Sequence, residues 1–406
     1  MLRRLAVAFL VVGLSLVFST HILAATLQEE LSNLKGRVSN LEETSKDAPA
    51  GEGSDSISIG GGITFIIQGS NRSNADGITD DGVTDGSYSV DLEFEKDFDS
   101  KGKAFVHLET GDGAGVTDEL LLFSNVNADA DDSDNALAVT EAWYEHYFNS
   151  GAVTLTFGRI DVSSYIDTNE YANDETANFL ADIFKSSPVI EFPDDNSAAV
   201  RLAYVVSDSI ELEVVAADGD ADFEDIFDDT FLAVQVNFKP RFISRDGNYR
   251  VYSWQNNKRH TKWDDASKDN EKGNGFGVSI DQQLTNNLAG FARYSQQNGE
   301  VYPEGADFTL VSAWSLGVNI SGTFWGRGED VLGVAYGVVV PSDKYKDAGG
   351  LEGKNEGHIE AYYNFRVSEN ISLSPDIQFI TNPYGGDAAN GDEDIFVAGL
   401  RAQVNF

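Results

Sequence analysis

Charged and aromatic side chains recur in segments whose other residues alternate between apolar and polar. Arginine and carboxylate groups facing each other across a narrow space produce a transverse electric field, and they offer paired hydrogen bonds to hydroxyl groups. An aromatic ring beside them can pack on the apolar face of a polyhydroxylated molecule. The candidates of this kind are Glu141, Trp143, Glu145, Arg159, Arg201, Arg250, Arg293, Glu360, Arg366 and Arg401.

A second set of candidates lies in the long segment 161–193, which joins two strand-like segments. Its polar members are Asp161, Asp167, Asn173, Asp174 and Glu175. A connection of this length within a compact domain is usually functional. We expect it to fold inward, where its side chains would narrow the space that the strand charges line.

Other motifs favour no catalytic or cofactor chemistry. The acidic segments 127–135 and 218–225 place Asp at alternate positions, which suits weak divalent-cation binding, but they lack the glycine and distal glutamate of a helix-loop-helix calcium site. The five histidines show no metal-binding spacing, and no serine lies in a G-x-S-x-G context. We therefore predict no resident metal, no cofactor and no enzymatic activity.

The elements that position these residues are strands. From residue 56 onward the apolar period is two; Ile359, Ala361 and Tyr363, for example, oppose Glu360 and Tyr362. The pattern predicts sixteen strands, at about 56–69, 86–98, 101–109, 139–149, 150–160, 197–206, 209–217, 229–239, 247–258, 272–284, 286–296, 308–319, 330–340, 355–368, 370–381 and 393–406.

The connections alternate between short and long along the chain. Short turns such as 149–151 and 207–209 alternate with long acidic loops such as 110–138 and 161–196. Short turns on one rim and long loops on the other are typical of a transmembrane antiparallel β-barrel with an even strand count. The alternating segment 393–406, which ends on Phe406, then reads as the strand that closes this barrel. Aromatic residues near strand ends, namely Phe98, Phe148, Trp254 and Trp325, fit interfacial girdles.

The N-terminal residues and the composition restrict the location and the partners. Residues 1–25 combine Arg3 and Arg4, a short apolar run and small residues, which predicts a cleaved signal peptide. Leucine and valine spaced as in a heptad predict a short coiled coil over 26–45, followed by a linker over 46–55 and the barrel over 56–406. There is no cysteine, and the formal net charge of −39 disfavours nucleic acid as a partner.

Several stretches resemble one protein family. The segment GRIDVSSYIDTNEYANDETANFLADIFKSSPVIEFP (158–193), with WSLGVNISGTFWGRGEDVLGVAYG (314–337) and the closing VAGLRAQVNF, is similar to the OprB-type carbohydrate-selective porins of bacterial outer membranes. The resemblance covers about 60–406 and implies a sixteen-stranded barrel in outer-membrane lipid, a homotrimer, and passive diffusion of small solutes. The coiled coil is an addition to the family pattern and suits a trimer.

Two functions remain open from the sequence. The first is an outer-membrane porin for small hydrophilic solutes, with carbohydrates the expected class. The alternative is a general or cation-preferring porin without sugar specificity, which the acidic composition favours. An outer-membrane barrel enzyme would need a nucleophile beside a histidine such as His146, and none is evident.

Overall fold

The computed structural model describes residues 56–75, 81–130, 135–193, 196–242, 244–389 and 393–406. The signal peptide, coiled coil and linker predicted for residues 1–55 lie outside these ranges. Among the described residues, no helix is long and apolar enough to cross a membrane.

The described chain forms strands joined by turns and loops, with two short α-helices. The strands are β1 (Ser58–Ser70), β2 (Thr84–Asp97), β3 (Gly102–Asp112), β4 (Ala138–Phe148), β5 (Val153–Ile160), β6 (Ser197–Ser207), β7 (Ile210–Asp218), β8 (Thr230–Phe238), β9 (Arg241–Phe242), β10 (Arg245–Lys262), β11 (Glu271–Gln283), β12 (Leu288–Gln297), β13 (Val301–Pro303), β14 (Leu310–Ser321), β15 (Val331–Pro341), β16 (Glu356–Ser368), β17 (Ile371–Thr381) and β18 (Ile395–Asn405). The helices are α1 (Asp182–Lys185) and α2 (Asp343–Gly349).

Sixteen of these strands close into one antiparallel barrel, which confirms the predicted fold class. Each long strand pairs with its neighbours in the chain, and β1 pairs with both β2 and β18. In the closing pair Ile63 lies opposite Val404 and Ile67 opposite Leu400. Phe406 exchanges backbone hydrogen bonds with Gly61 at 3.1 and 3.2 Å. The alternating C-terminal segment is therefore the strand that removes the open edge of the sheet.

Two short strands were not predicted from the sequence. β13 pairs with the end of β10, which extends to Lys262 and thus beyond the predicted limit of 258. β9 forms a two-residue pair with the start of β10. Both are additions at the ends of a barrel strand, where connecting segments can continue the ladder without altering the closed sheet.

The outer face of the barrel is apolar and the inner face is polar, which is the reverse of the arrangement in a soluble protein. Apolar side chains such as Leu202, Val234 and Phe276 point outward with 45%, 50% and 51% of their surface exposed. Polar residues on the inner face, such as Gln235 and Ser279, are buried. An apolar exterior and a polar interior are what a barrel in lipid requires.

Replacing Val234 with arginine should destabilise the barrel in lipid by about 2–4 kcal/mol, because Val234 lies in the middle of β8 on the outer face. The matched control is Glu93→Arg on the inner face of β2, which should change stability by about 0.5 kcal/mol or less. Urea unfolding in lipid vesicles, followed by tryptophan fluorescence, measures both. Equal losses in the two variants would contradict the inward and outward assignment.

Apolar residues on the inner wall gather where loops enter the lumen. Phe179, Ile183 and Phe184 pack against Phe291 and Tyr362 of the wall. Trp254, which the sequence placed in an interfacial girdle, instead faces inward, is 2% exposed and stacks with Phe231. The remaining girdle candidates, Phe98, Phe148 and Trp325, are exposed.

Candidate functional site

The segment predicted to narrow the barrel does fold into the lumen; we refer to residues 161–193 as the constriction loop. It starts directly after β5, where Asp161 accepts a hydrogen bond from the Ser163 backbone N–H at 2.8 Å. Val162 and Ile166 are then buried against the inner wall together with Val215. The apolar side chains of the loop thus hold it against the inner wall.

A second inward segment, residues 113–130, braces the constriction loop. Its Ala128 N–H donates to the Leu180 carbonyl at 2.7 Å, and its Asn125 carbonyl accepts from the Asp182 N–H at 3.1 Å. Charged wall residues hold this segment too, since the Glu356 carboxylate accepts the backbone N–H groups of Phe123 and Ser124. Two loops joined by backbone hydrogen bonds form one body inside the barrel.

Glu360 and Arg401 anchor the tip of the constriction loop to the wall. The Glu360 carboxylate accepts the N–H groups of Leu180 and Ala181 at 2.6 and 2.9 Å. The Arg401 guanidinium donates to the carbonyls of Asn178, at 2.9 Å, and of Glu175. Glu360 and Arg401 are 0% and 1% exposed, so these charges bind the loop rather than face the open channel.

Arg293 anchors the first half of the same loop. It donates to the Asp167 carbonyl at 3.1 Å, to Asn173 Oδ1 at 2.9 Å and to the Phe184 carbonyl. Its Nε also lies 3.3 Å from Asp167 Oδ2, which accepts from the Ser187 N–H. Asp167 is fully buried and has a positive φ of 64°, as at a tight turn. Its ion pair with Arg293 therefore fixes a turn of the constriction loop to the wall.

Beside the constriction loop lies a cavity of about 600 Å³, which we call the acidic aperture. The loops contribute one side of it and β1, β2, β3, β4 and β18 the other. Among the described residues, its titratable lining consists of eight carboxyl groups, one lysine and one histidine: Asp91, Glu93, Glu109, Asp129, Glu141, Asp161, Asp174, Glu175, Lys185 and His107. Carboxylates on both sides of the passage repel anions and attract cations.

The single lysine of the aperture is neutralised by its neighbour. Lys185 Nζ donates to Glu175 Oε1 at 2.6 Å. Burial lowers the pKa of Lys185, but the attraction of Glu175 outweighs this and the pKa is raised. Lys185 therefore keeps its charge and offsets that of Glu175 only, which leaves the rest of the lining acidic.

The fifteen residues predicted from the sequence divide into groups. Five line the acidic aperture: Glu141, Asp161, Asn173, Asp174 and Glu175. Four bind the constriction loop to the wall or shape it: Asp167, Arg293, Glu360 and Arg401. The others are Trp143, which donates to Glu141 at 3.0 Å, Arg366, which lines a second cavity, and Glu145, Arg201, Arg250 and Arg159, described next.

Wall arginines on the side away from the aperture form ion pairs with wall carboxylates. Arg250 lies 2.5 Å from Asp281, and Arg201 pairs with Glu213 and, at 3.4 Å, with Glu145. The Arg201 guanidinium also lies 4.2 Å from the ring centre of Tyr165 in the constriction loop. In the described part of the chain, no arginine lines the acidic aperture, so the predicted transverse field between opposed arginines and carboxylates does not form there.

Arg159 faces outward, not into the lumen as predicted. It lies opposite Ala142 on β4 and shares its face with Phe157, which is 47% exposed. Its guanidinium lies 5.6 Å from the ring centre of Phe223. The alternation of Val153, Leu155 and Phe157 already indicates this outward face, because Arg159 has the same parity.

Sequence reasoning missed half of the acidic lining. Asp91, Glu93 and Glu109 alternate with apolar residues on β2 and β3, so the period-two rule alone could have placed them on the inner face. Asp129 and Lys185 lie in the inward segments, where no local pattern shows which side chains meet the channel.

Asp129 makes the charge of the aperture depend on pH. Burial, with a smaller contribution from the charge of Glu175, raises the pKa of Asp129 to about 8. The carboxyl is therefore neutral at pH 7 and becomes charged as the pH passes 8. We expect the preference for cations to increase between pH 7 and pH 9, measured as reversal potential in a salt gradient. The increase should be absent in Asp129→Asn; an equal increase in that variant would assign it to another group.

One of the two acidic segments considered for cation binding is fully described. The carboxylate oxygens of Asp218, Asp220 and Asp222 lie within 4.8 Å of one another. Asp218 also accepts a hydrogen bond from the Phe223 N–H at 3.0 Å. The segment 127–135 includes residues outside the described ranges. Divalent-cation binding at either segment stays a prediction.

A closed barrel with a polar lumen, narrowed by an inward loop, defines a diffusion porin of the bacterial outer membrane. The sequence agrees: residues 76–406 match the family described as carbohydrate-selective porin, OprB family. The chain belongs to this family, whose members are channel proteins.

Solved structures of outer-membrane channels share the fold of the chain. The chain superposes on Pseudomonas putida OprB, in a structure determined at high pH, with a TM-score of 0.75 and 17% identity, over 86% of this chain and 94% of that one. It superposes on the outer-membrane channel DcaP of Acinetobacter baumannii with a TM-score of 0.56 and 13% identity, over 88% and 99% of the two chains. At these identities the likeness concerns the fold.

Among sequence relatives, an uncharacterized protein of Nostoc sp. is 30% identical over 33% of this chain and 22% of its own length. A protein of Acinetobacter baylyi described as a porin, QuiX, is 22% identical over 66% of this chain and 69% of its own. An uncharacterized Aquifex aeolicus protein is 27% identical over 55% and 58%. The matches thus span less than two thirds of the Nostoc and Aquifex proteins.

Proposed function

We propose that this porin passes small neutral sugars and discriminates against anionic solutes. The observation that carries the proposal is the acidic aperture, where the described lining has eight carboxyl groups, of which Asp129 is neutral at pH 7, and one lysine that is already paired. Family membership supports carbohydrates as the solute class. The negative charge of the aperture then favours neutral over anionic members of that class.

The physical basis is a difference between hydrogen bonding and net charge. A sugar hydroxyl can donate to a carboxylate oxygen of Glu141 or Asp174 while its own oxygen keeps a water partner. A neutral solute therefore loses little solvation in the aperture. The negative group of an anion cannot donate a hydrogen bond to a carboxylate in place of its bonds to water. It is also repelled by the carboxylates, which raises the free-energy barrier to its entry. No step requires energy coupling, because flow follows the concentration gradient.

The proposal extends to export and assembly. A signal peptide over residues 1–25 would direct export of the chain, and its cleavage is part of the proposal. We also propose a homotrimer in outer-membrane lipid, with the coiled coil over 26–45 joining three chains. Chemical crosslinking of the purified porin with and without residues 26–45 tests the trimer and the contribution of the coiled coil.

Single-channel current in a planar bilayer tests the proposed function. A salt gradient gives the cation-to-anion permeability ratio, and sugars added to either side report block of the ion current. The proposal predicts cation preference together with block that saturates as the sugar concentration rises. Cation preference with no effect of any sugar would instead support the general or cation-preferring porin, and the absence of channels would overturn both.

A further inference from the structure

A second cavity, of about 370 Å³, lies in the lumen beneath the constriction loop, at the rim with the short turns. The loop covers it with Tyr171, Ala177 and Asn178, and the turns 284–287 and 322–330 border it. The short turns of outer-membrane barrels face the periplasm. The polar side chains lining this cavity, which we call the periplasmic cleft, are Tyr171, Asn178, Gln283, Thr285, Asn286, Asn287, Asn319, Ser321, Glu329, Asn364 and Arg366.

The lining of the periplasmic cleft differs in kind from that of the acidic aperture. Carboxamides predominate, and the charged residues are one glutamate and one arginine, Glu329 and Arg366. Gln283 and Arg366 occupy inward positions at the ends of β11 and β16. Side-chain hydrogen bonds or ion pairs for Gln283, Asn286, Glu329 and Arg366 are absent among the described residues. The cleft therefore presents free donors and acceptors without a net charge.

We infer that the periplasmic cleft is a binding subsite for a neutral mono- or disaccharide that has passed the acidic aperture. The inference rests on the proposed function, since it assumes that sugars reach the lumen. The volume falls within the roughly 300–1,000 Å³ of small-molecule pockets.

The chemistry of the lining matches polyhydroxylated molecules. Each hydroxyl is at once a donor and an acceptor, and a carboxamide offers both functions in one plane. The Arg366 guanidinium presents a fork of donors that can engage two adjacent hydroxyl oxygens, and Glu329 accepts from hydroxyls. The ring of Tyr171 supplies an aromatic surface at the loop side of the cleft.

The position of the cleft gives the subsite a role in transport. The loop above it is fixed, because Asn319 and Asn364 of the wall donate to the Tyr171 and Ala177 carbonyls at 3.0 and 3.2 Å. A solute leaving the aperture thus meets a preformed surface before it enters the periplasm. Binding at such a site must stay weak, because conduction requires release as well as capture.

The test compares block of the ion current in the purified porin and its variants, with glucose, maltose and gluconate as probes. The main variant is Gln283→Leu with Arg366→Leu, which removes two free hydrogen-bonding groups of the cleft. We expect its half-blocking concentration for the effective neutral sugar to rise by about tenfold. A milder variant, Asn286→Ala on the exposed turn, should give a smaller rise of about threefold and keeps the test valid if the double variant does not fold.

The matched control is Gln255→Leu, the same chemical change at an exposed position outside the cleft. It should leave the half-blocking concentration as in the parent. An unchanged value in both cleft variants would overturn the subsite, as would block by gluconate equal to block by the neutral sugars.

Failure of the subsite can be distinguished from failure of the proposed function. Saturable sugar block with the same half-blocking concentration in the parent and in both cleft variants would overturn the subsite and leave the proposed function intact. The absence of both sugar flux and block would overturn the proposed function itself.

Discussion

Replacing Glu360 with alanine should increase the single-channel conductance by about twofold and weaken sugar selectivity. The Glu360 carboxylate is the acceptor for two backbone N–H groups at the tip of the constriction loop. Its removal leaves both buried donors without that acceptor, at a cost of about 1–3 kcal/mol for each. The loop should then leave the wall part of the time and expose more of the lumen of a sixteen-stranded barrel.

Single-channel recording measures this effect, and the current should also fluctuate more as the loop moves. Ser374→Ala is the matched control, because Ser374 is a buried residue of the inner wall on the neighbouring strand β17. The control should conduct like the parent. A parental conductance in Glu360→Ala would show that Arg293 and Arg401 suffice to hold the loop.

Reversing two charges of the acidic aperture, with Glu93→Lys and Asp174→Lys, should reduce the cation-to-anion permeability ratio on the order of tenfold. Both carboxylates line the passage, Glu93 from β2 and Asp174 from the constriction loop. The effect should shrink in concentrated salt, because counterions screen the added charges. Reversal potentials in a salt gradient measure the ratio.

The matched control carries the same charge change outside the channel. Asp208→Lys and Glu369→Lys alter exposed residues of two short turns. Their permeability ratio should stay within about twofold of the parent, since charges beyond the Debye length of about 10 Å are screened. An equal decrease in both double variants would assign the selectivity to the overall charge of the protein rather than to the aperture.

The architecture could be predicted from the sequence because a barrel in lipid obeys local rules. Apolar residues at every second position mark the outer face, as Ile359 and Ile377 do, and the alternation of short and long connections marks the two rims. The closing strand was visible in the regular alternation before Phe406. These signals need no knowledge of distant contacts, which explains why all sixteen strands were found within a few residues.

The role of each inward charge could not be predicted in the same way. Glu360, Arg293 and Glu93 all occupy inward positions, yet the first two bind the constriction loop and the third lines the aperture. What distinguishes them is a contact with a loop more than a hundred residues away in the chain. Strand alternation assigns a face to a side chain, but it does not show whether that face meets water or another segment.

The swelling of liposomes that contain the porin, with three solutes of similar size, directly tests whether the acidic aperture selects solutes by charge. Glucose is neutral, glucosamine is cationic and gluconate is anionic. We expect glucose to enter rapidly and glucosamine to enter at least as rapidly as glucose. Gluconate should enter more slowly than glucose by about tenfold. Equal rates for glucose and gluconate would contradict a selective acidic aperture, and no entry of glucose would contradict a sugar porin.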